Sequence, residues 1–308
     1  MKISKKINVL IADKVNLLHL HKLRKSKFNV TLRYGMTNDE ILSFSRLKNF
    51  QVLFVKSQRC LDKVFLARCN FEVICTASKG LDHIDIDYAF KRGISVVFSD
   101  SGNSVSAAEH TLGLILTGFK RINYADGLVR TGNFTDWGYE RRTLEGKRIG
   151  VIGTGKVGFL VARYAKAFGM EVIANDTDRD VRRRNRDLKY YSLDFLLRNS
   201  DVISVHIPLE KRNLNFIDGT AFDKMKSNVI FVNTSRGEVV DEEYLIRKAR
   251  LNKKIFIALD VFKDEPNLNP DLFSLRNAVF TNHVAGKTPE GEQGIGNDLF
   301  MQVNNIFY

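Results

Sequence analysis

The sequence predicts an α/β fold built on parallel sheets, and three observations carry that prediction. Short apolar runs alternate with helix-period segments along almost the whole chain. One stretch, Arg148–Asp176 (RIGVIGTGKVGFLVARYAKAFGMEVIAND), reads as strand, glycine turn, helix, strand and acidic residue. The 308 residues suffice for two medium domains, each with its own core.

Taken in order, residues 7–12 (INVLIA) are predicted as a first strand, Val15–Leu23 as a helix and Asn29–Leu32 as a second strand. Asn38–Leu47 is a helix opening on Asn38, with Asp39 and Glu40 in its first turn, where carboxylates meet the positive dipole end. Gln51–Val55 is a strand, Asp62–Arg68 a helix and Val73–Ala77 a strand. Asp85–Arg92 is a helix closed by Gly93, and Ile94–Phe98 a strand. Ser104–Phe119 is a long helix with Val105, Ala108, Leu112, Ile115 and Phe119 on one face. Ser106 and Glu109 have capping-box spacing, and equally fit one turn inside the helix. Asn123–Gly146 holds four glycines and the only tryptophan, Trp137, and is long for a connector. An arm against a second subunit and an arm against its own domain both fit it.

In the Arg148–Asp176 stretch, Arg148–Ile152 is the kind of apolar run a buried parallel strand uses. Val157, Leu160, Val161, Tyr164, Ala165 and Phe168 then recur at helical spacing, and Glu171–Ala174 returns as a strand. Beyond Asp176, Ser192–Arg198, Gly219–Lys226, Glu242–Arg250 and the terminal Glu290–Phe307 are predicted helices. Val202–Ile207, Val229–Asn233, Ile255–Asp260 and Ala278–Thr281 are predicted strands. No Gly/Ser-rich linker is present, so two domains would meet through elements and not through a tether.

The glycine turn has chemical content. Gly153-Thr-Gly155-Lys-Val-Gly158 is the G-x-G-x-x-G pattern. Gly153 turns tightly off the strand, Gly155 lets backbone approach a pyrophosphate, and Gly158 lets the helix pack closely. The helix N-terminus offers N–H groups and a positive dipole end to phosphates. Asp176 stands 18 residues past Gly158, about where a carboxylate reaches adenosine ribose hydroxyls. A dinucleotide site is therefore predicted.

Three later stretches end strands, where open α/β sheets bind ligands. They are Asn233–Gly237 (NTSRG), Asp260–Pro266 (DVFKDEP) and Thr281–Gly286 (TNHVAG). Together they bring one Arg, several carboxylates and one His. A guanidinium can hold a carboxylate and polarise the adjacent carbonyl. An imidazolium can supply a proton as hydride reaches carbon, and a neighbouring carboxylate would orient it.

The formal net charge is +13, densest at Lys22–Lys27 and Arg179–Arg186. No helix-turn-helix pattern and no interleaving of basic and aromatic residues accompany it. The charge is read as that of a soluble basic enzyme whose field draws anionic substrates and cofactors, with no nucleic-acid partner. No window approaches 18 apolar residues, so no membrane partner is expected. The basic start lacks a signal-cleavage pattern. Cys60, Cys69 and Cys75 are odd in number and lack CxxC spacing. They argue against a disulfide framework or a metal site and fit the reduced thiols of the cytoplasm.

From about Val73 onward the chain resembles the D-isomer-specific 2-hydroxyacid dehydrogenases. The resemblance runs through SKGLDHID, GISVVFSDSGNSVSAAEHTLGLIL, LEGKRIGVIGTGKVG, HIPL, VNTSRGEVVDEEYL, ALDVFKDEP and NHVAG, in that order. Before Val73 only the element pattern matches. The resemblance implies two Rossmann-like or flavodoxin-like parallel-sheet domains. A substrate domain of residues 1–101 plus 286–308 would carry an inserted dinucleotide-binding domain, 102–285, with the cleft at the two hinges. It implies that Arg236 binds substrate, that His283 is the general acid/base and that Glu265 is its carboxylate partner. Gly153, Gly155, Lys156, Val157 and Gly158 would hold the pyrophosphate and Asp176 the ribose. Asp260 would bind the nicotinamide carboxamide. His206, Pro208 and Thr234, with Arg236, His283 and Gly286, would line the cofactor site. Lys79 and Gly80 would receive the substrate carboxylate, with Asn103 at the crossing near the nicotinamide. Apart from the resemblance, the length of the Asn123–Gly146 arm leads to the expectation of a homodimer through that arm and its preceding helix.

Two departures from the family pattern stand out. Asn282 replaces a proline common before the catalytic His. Lys79 replaces a small or apolar residue, which would suit a second anionic group such as a phosphate and equally a solvent-facing position. Asp176 would bond a ribose diol and repel a 2′-phosphate, so NAD is expected over NADP. The Arg182–Arg184 run is read as a solvated helix face. The expected activity is interconversion of a D-2-hydroxy acid and its 2-keto acid, on a phosphoglycerate, glycerate/hydroxypyruvate or D-lactate type of substrate. The alternative is an NAD(H)-sensing, corepressor-like binding protein on the same fold.

Overall fold

The computed structural model describes residues 6–14, 27–56, 58–77, 81, 83–99, 102–135, 138 and 140–307. The helix expected over Val15–Leu23 falls outside them, as do Lys79, Gly80 and Trp137. The chain divides into two compact units, Met1–Asn103 with Lys287–Tyr308, and Ser104–Gly286.

The first unit holds β1 (Ile7–Ile11), β2 (Phe28–Leu32), β3 (Val52–Val55), β4 (Val73–Thr76) and β5 (Ser95–Phe98), ordered β2-β1-β3-β4-β5. Every pairing is parallel. The inner strands β3 and β4 read as continuous buried runs because both of their faces are covered. Leu10, Leu53 and Ile74 point to one core, closed by α1 (Asn38–Leu47), α2 (Lys63–Arg68) and α3 (Ile86–Lys91). Val9, Val52 and Val73 point to the other, where the terminal helix Pro289–Phe307 inserts Leu299 and Val303. The last helix of the chain therefore completes the first sheet. α1 spans Asn38–Leu47 as expected, and Thr37 caps it, forming a reciprocal capping box with Glu40.

The second unit carries the sheet β12-β11-β10-β9-β6-β7-β8, again parallel throughout. In chain order its strands are β6 (Arg148–Ile152), β7 (Glu171–Asn175), β8 (Lys189–Tyr190), β9 (Val202–Val205), β10 (Ile230–Asn233), β11 (Phe256–Leu259) and β12 (Ala278–Phe280). Its helices are α4 (Ser104–Lys120), α5 (Ile122–Arg130), α6 (Lys156–Ala167), α7 (Arg179–Arg184), α8 (Leu193–Asn199), α9 (Gly219–Lys224) and α10 (Glu242–Leu251). β8 was not anticipated, since a two-residue edge strand carries little periodicity, whereas α7 carries the Arg182–Arg184 run on the solvated helix face expected for it.

Three expectations need adjustment. α4 buries Ala107, Ala108, Thr111, Leu114, Ile115, Gly118 and Phe119, so its inner face is rotated from the expected stripe and Val105 is 53% exposed. Ser106 lies inside that helix and does not cap it. Phe168, expected on the inner face of α6, caps the helix and is 45% exposed, because the close approach to the sheet is made by Gly158, Ala162 and Ala165. The Asn123–Gly146 segment opens as α5, set off from α4 by the left-handed Arg121, and none of the nine residues of α5 is buried. Its return leg is tied to its own unit: the Arg142 N–H donates to Phe119 O, and the guanidinium lies over the Phe119 ring and donates to Asn228 O.

Candidate active site

The glycine turn is made as its chemistry requires. Gly153 sits at φ +85, and a Cβ there would stand 2.8 Å from His206 O. A Cβ on Gly158 would stand 2.0 Å from Gly153 O, so only glycine lets the first turn of α6 close over the loop. Gly155 is exposed, and nothing lies within 4 Å of where its Cβ would be. No side chain caps α6 at that residue. An uncapped helix start beside an open glycine suits a pyrophosphate. Lys156 is exposed and Val157 half-buried on that first turn.

Asp176, just past β7, is half-buried and bound into the same turn. Its Oδ2 accepts from the Thr154 N–H at 2.7 Å and the Thr154 hydroxyl at 3.0 Å, and its Oδ1 from the Asp178 N–H at 2.9 Å. The hydroxyls of Thr154 and Tyr190 lie 3.0 Å apart, and the Arg182 guanidinium stands over the Tyr190 ring. Arg179, Arg182, Arg183 and Arg184 are exposed. Burial pushes His206, at the end of β9, down to about 3, and its Nε2 lies 2.8 Å from Ser204 Oγ. Pro208 is exposed, and Thr234 is half-buried with its hydroxyl 2.9 Å from that of Thr111 on α4.

Arg236, Glu265 and His283 come from three loops that follow β10, β11 and β12. His283 Nδ1 and Glu265 Oε2 are 2.7 Å apart. The Phe262 N–H donates to Glu265 Oε1 at 2.9 Å. Burial works to raise the Glu265 pKa, but the His283 and Phe262 hydrogen bonds and the charges of His283 and Arg236 outweigh it. The carboxyl is held below its ordinary value. The Asn233 side chain shapes the arginine turn: its Oδ1 accepts from the N–H and hydroxyl of Ser235, and its Nδ2 donates to Arg236 O. Gly237 then lets the loops meet, for a Cβ there would stand 1.9 Å from Phe262 C.

Asp260 is fully buried at the end of β11. Its backbone oxygen accepts from the His283 N–H at 2.9 Å. Its carboxylate accepts from the N–H groups of Val284 and Ala285, both at 2.9 Å, and from the Thr281 hydroxyl at 2.5 Å. These contacts turn the carboxylate into the loop that carries His283. Gly286 ends that loop half-buried, and Asn282 is exposed. In the first unit, Asn103 is half-buried at the end of its chain segment, and the two residues expected to take the substrate carboxylate, Lys79 and Gly80, lie outside the described residues.

Sequence reasoning passed over Thr154, Tyr190 and His110. Thr154 fills a variable position of the glycine turn, and Tyr190 and His110 reach the site from neighbouring elements, so no residue type is demanded at any of the three by spacing alone. His110 Nε2, on α4, lies 3.0 Å from Thr281 Oγ1 and 3.5 Å from Asp260 Oδ1.

Comparison with known proteins gives the family of the chain. The model for "D-isomer specific 2-hydroxyacid dehydrogenase, NAD binding domain" matches residues 112–285, more than half of the chain. A D-3-phosphoglycerate dehydrogenase of Archaeoglobus fulgidus is 37% identical over 304 residues, covering 97% of this chain and 57% of its own length. The chain thus spans little more than half of that relative. A protein of Staphylococcus aureus described as a 2-hydroxyacid dehydrogenase is 34% identical over 275 residues, 87% of each chain. Among solved structures, the D-lactate dehydrogenase of Aquifex aeolicus, complexed with NAD and lactic acid, is 29% identical with a TM-score of 0.79, covering 97% of this chain and 95% of that one. The chain belongs to the D-isomer specific 2-hydroxyacid dehydrogenase family, with residues 112–285 as that family's NAD binding domain.

Proposed function

We propose that the protein is an NAD-dependent oxidoreductase that interconverts a D-2-hydroxy acid and its 2-keto acid. The observation that carries this reading is the 2.7 Å pair of His283 Nδ1 and Glu265 Oε2, with the Arg236 charge acting on the same carboxylate. The nicotinamide, when bound, gives or takes the hydride at substrate C2. The chain's own groups do the rest. Arg236 clamps the substrate carboxylate and draws electron density from the carbonyl. His283 uses Nε2 to give the hydroxyl proton in reduction and to take it in oxidation, because Nδ1 is engaged by Glu265. Glu265 fixes the tautomer and stabilises the imidazolium.

The glycine turn, from Gly153 through Lys156 and Val157 to Gly158, supports a pyrophosphate, and Asp176 supports an adenosine ribose diol. Lys79, Gly80 and Asn103 complete the reading on the substrate side. A homodimer through α4 and the Asn123–Gly146 arm belongs to the same reading. It is supported by the exposure of Ile122, Val129 and Phe134. We place the protein in the cytoplasm.

The test is a panel of 2-keto acids, phosphorylated members included, mixed with protein and NADH while nicotinamide absorbance is followed. Oxidation of NADH with at least one member, and weaker turnover with NADPH, is expected. Tight NADH binding without turnover across the panel would replace the enzyme reading with that of an NAD(H) sensor.

A further inference from the structure

The three consecutive N–H groups of His283, Val284 and Ala285 all end on Asp260: the first on its backbone oxygen, the next two on its carboxylate. Successive N–H groups converging on one anion make a rigid turn. His283 itself is held at φ +55, a left-handed conformation that a residue with a Cβ keeps only when its surroundings enforce it. The buried Asp260 carboxylate is therefore what shapes the backbone under the imidazole.

That carboxylate has a further partner. With N–H donors on both oxygens it acts as an acceptor, so the Thr281 hydroxyl, 2.5 Å away, donates to it. The Thr281 oxygen is then left to accept from His110 Nε2 at 3.0 Å. Donation runs one way, from His110 Nε2–H to Thr281 and from Thr281 to Asp260, and it selects the tautomer of His110 with the proton on Nε2. α4 is joined to the same loop once more, and to the loop after β10 as well. The Ser106 hydroxyl donates to Ala285 O at 2.7 Å, and the Thr111 hydroxyl meets that of Thr234.

We propose that His110 is a positioning residue for the site: acting through Thr281, it locks the Asp260 carboxylate onto the loop backbone and so sets the direction of His283. This rests on the dehydrogenase reading for its kinetic consequence, but not for its structural one. A displaced imidazole about 1 Å from its productive place costs up to about a hundredfold in rate, whereas the cofactor turn on β6 and α6 lies elsewhere in the fold and is untouched.

The test uses the full chain and five variants: His110→Ala, His110→Gln, Thr281→Val, Thr281→Ser and the double variant His110→Ala with Thr281→Val. In the ligand-free protein, the ¹⁵N resonances of the His283 ring are expected to move in His110→Ala and Thr281→Val. They return in His110→Gln, whose amide N–H replaces Nε2–H, and in Thr281→Ser. With a keto acid that the wild type turns over, kcat should fall about tenfold or more in the first two variants. The dissociation constant for NADH should stay within about twofold, and the double variant should be no worse than either single one, as expected of groups acting in series. His283 resonances that stay in place, or kcat losses that multiply, would overturn the proposal. Should His110→Ala fail to fold, Thr281→Val, which removes only a hydroxyl, decides by the same readouts. If the wild type turns over no keto acid, the dehydrogenase reading fails, and the resonances of the ligand-free protein still decide the role of His110.

Discussion

At the level of single residues, the site depends on a histidine that stands 44% exposed while its partner carboxylate is two-thirds covered. The exposed edge of the ring can meet a substrate, and the covered edge is fixed by Glu265. Replacing His283 by Ala should lower kcat by about 10²- to 10⁴-fold, the usual worth of a positioned acid/base. NADH affinity, measured by fluorescence titration, should be nearly unchanged. Full turnover in that variant would remove His283 from the chemistry. Asn282, beside it, is exposed, so a proline at that position is not needed to bury the chain there. The placement of Arg236, Glu265 and His283 after β10, β11 and β12 was legible in the sequence because their motifs follow predicted strands. His110 was not, because its role is defined by a loop 171 residues away and a mid-helix histidine has no periodic signature.

At the level of elements, loops after parallel strands converge because the strands lie side by side, and small residues decide how closely. Gly237 is the tightest case: its Cβ would fall within 2.3 Å of three backbone atoms at Phe262 and Lys263. Gly237→Ala should therefore push the Arg236 turn away from the Glu265 loop. Overpacking of this kind costs about 1–3 kcal/mol, measurable by urea denaturation. kcat/KM should fall more than NADH affinity, since the cofactor turn lies on β6 and α6. A variant as stable and active as the wild type would show that the loops are free to separate. Helix and strand positions were largely legible because apolar runs and caps are local signals. The exceptions were β8, too short for any period, and the rotation of α4, which is set by contact with Phe256 and Ile230 and not by its own sequence.

At the level of the whole molecule, protonation couples the site to stability. The folded Glu265 has its pKa held below 4.5, so its contribution is complete above that value and is lost as pH falls through it. His206 acts in the same direction by a different route. It stays neutral in the fold down to about 3, while the unfolded chain takes up a proton below about 6.5. Folding stability should accordingly decline as pH falls from about 6.5 toward 3. His206→Asn should flatten that slope in urea-denaturation series at several pH values; an unchanged slope would mean that another group carries it.

The sequence by itself determined the parallel α/β class, the glycine turn, the acidic residue at the end of β7 and the strand-end positions of Arg236, Glu265 and His283. Those depend on local backbone geometry and on motif order, and both are written along the chain. Only the tertiary structure decided that the last helix completes the first sheet, that Asp176 is anchored by Thr154, and that Asp260 is turned inward to hold the loop beneath His283. Each of these joins residues far apart in the chain. Which polar atom satisfies a buried carboxylate depends on which elements fold against it, and that is settled by packing in three dimensions.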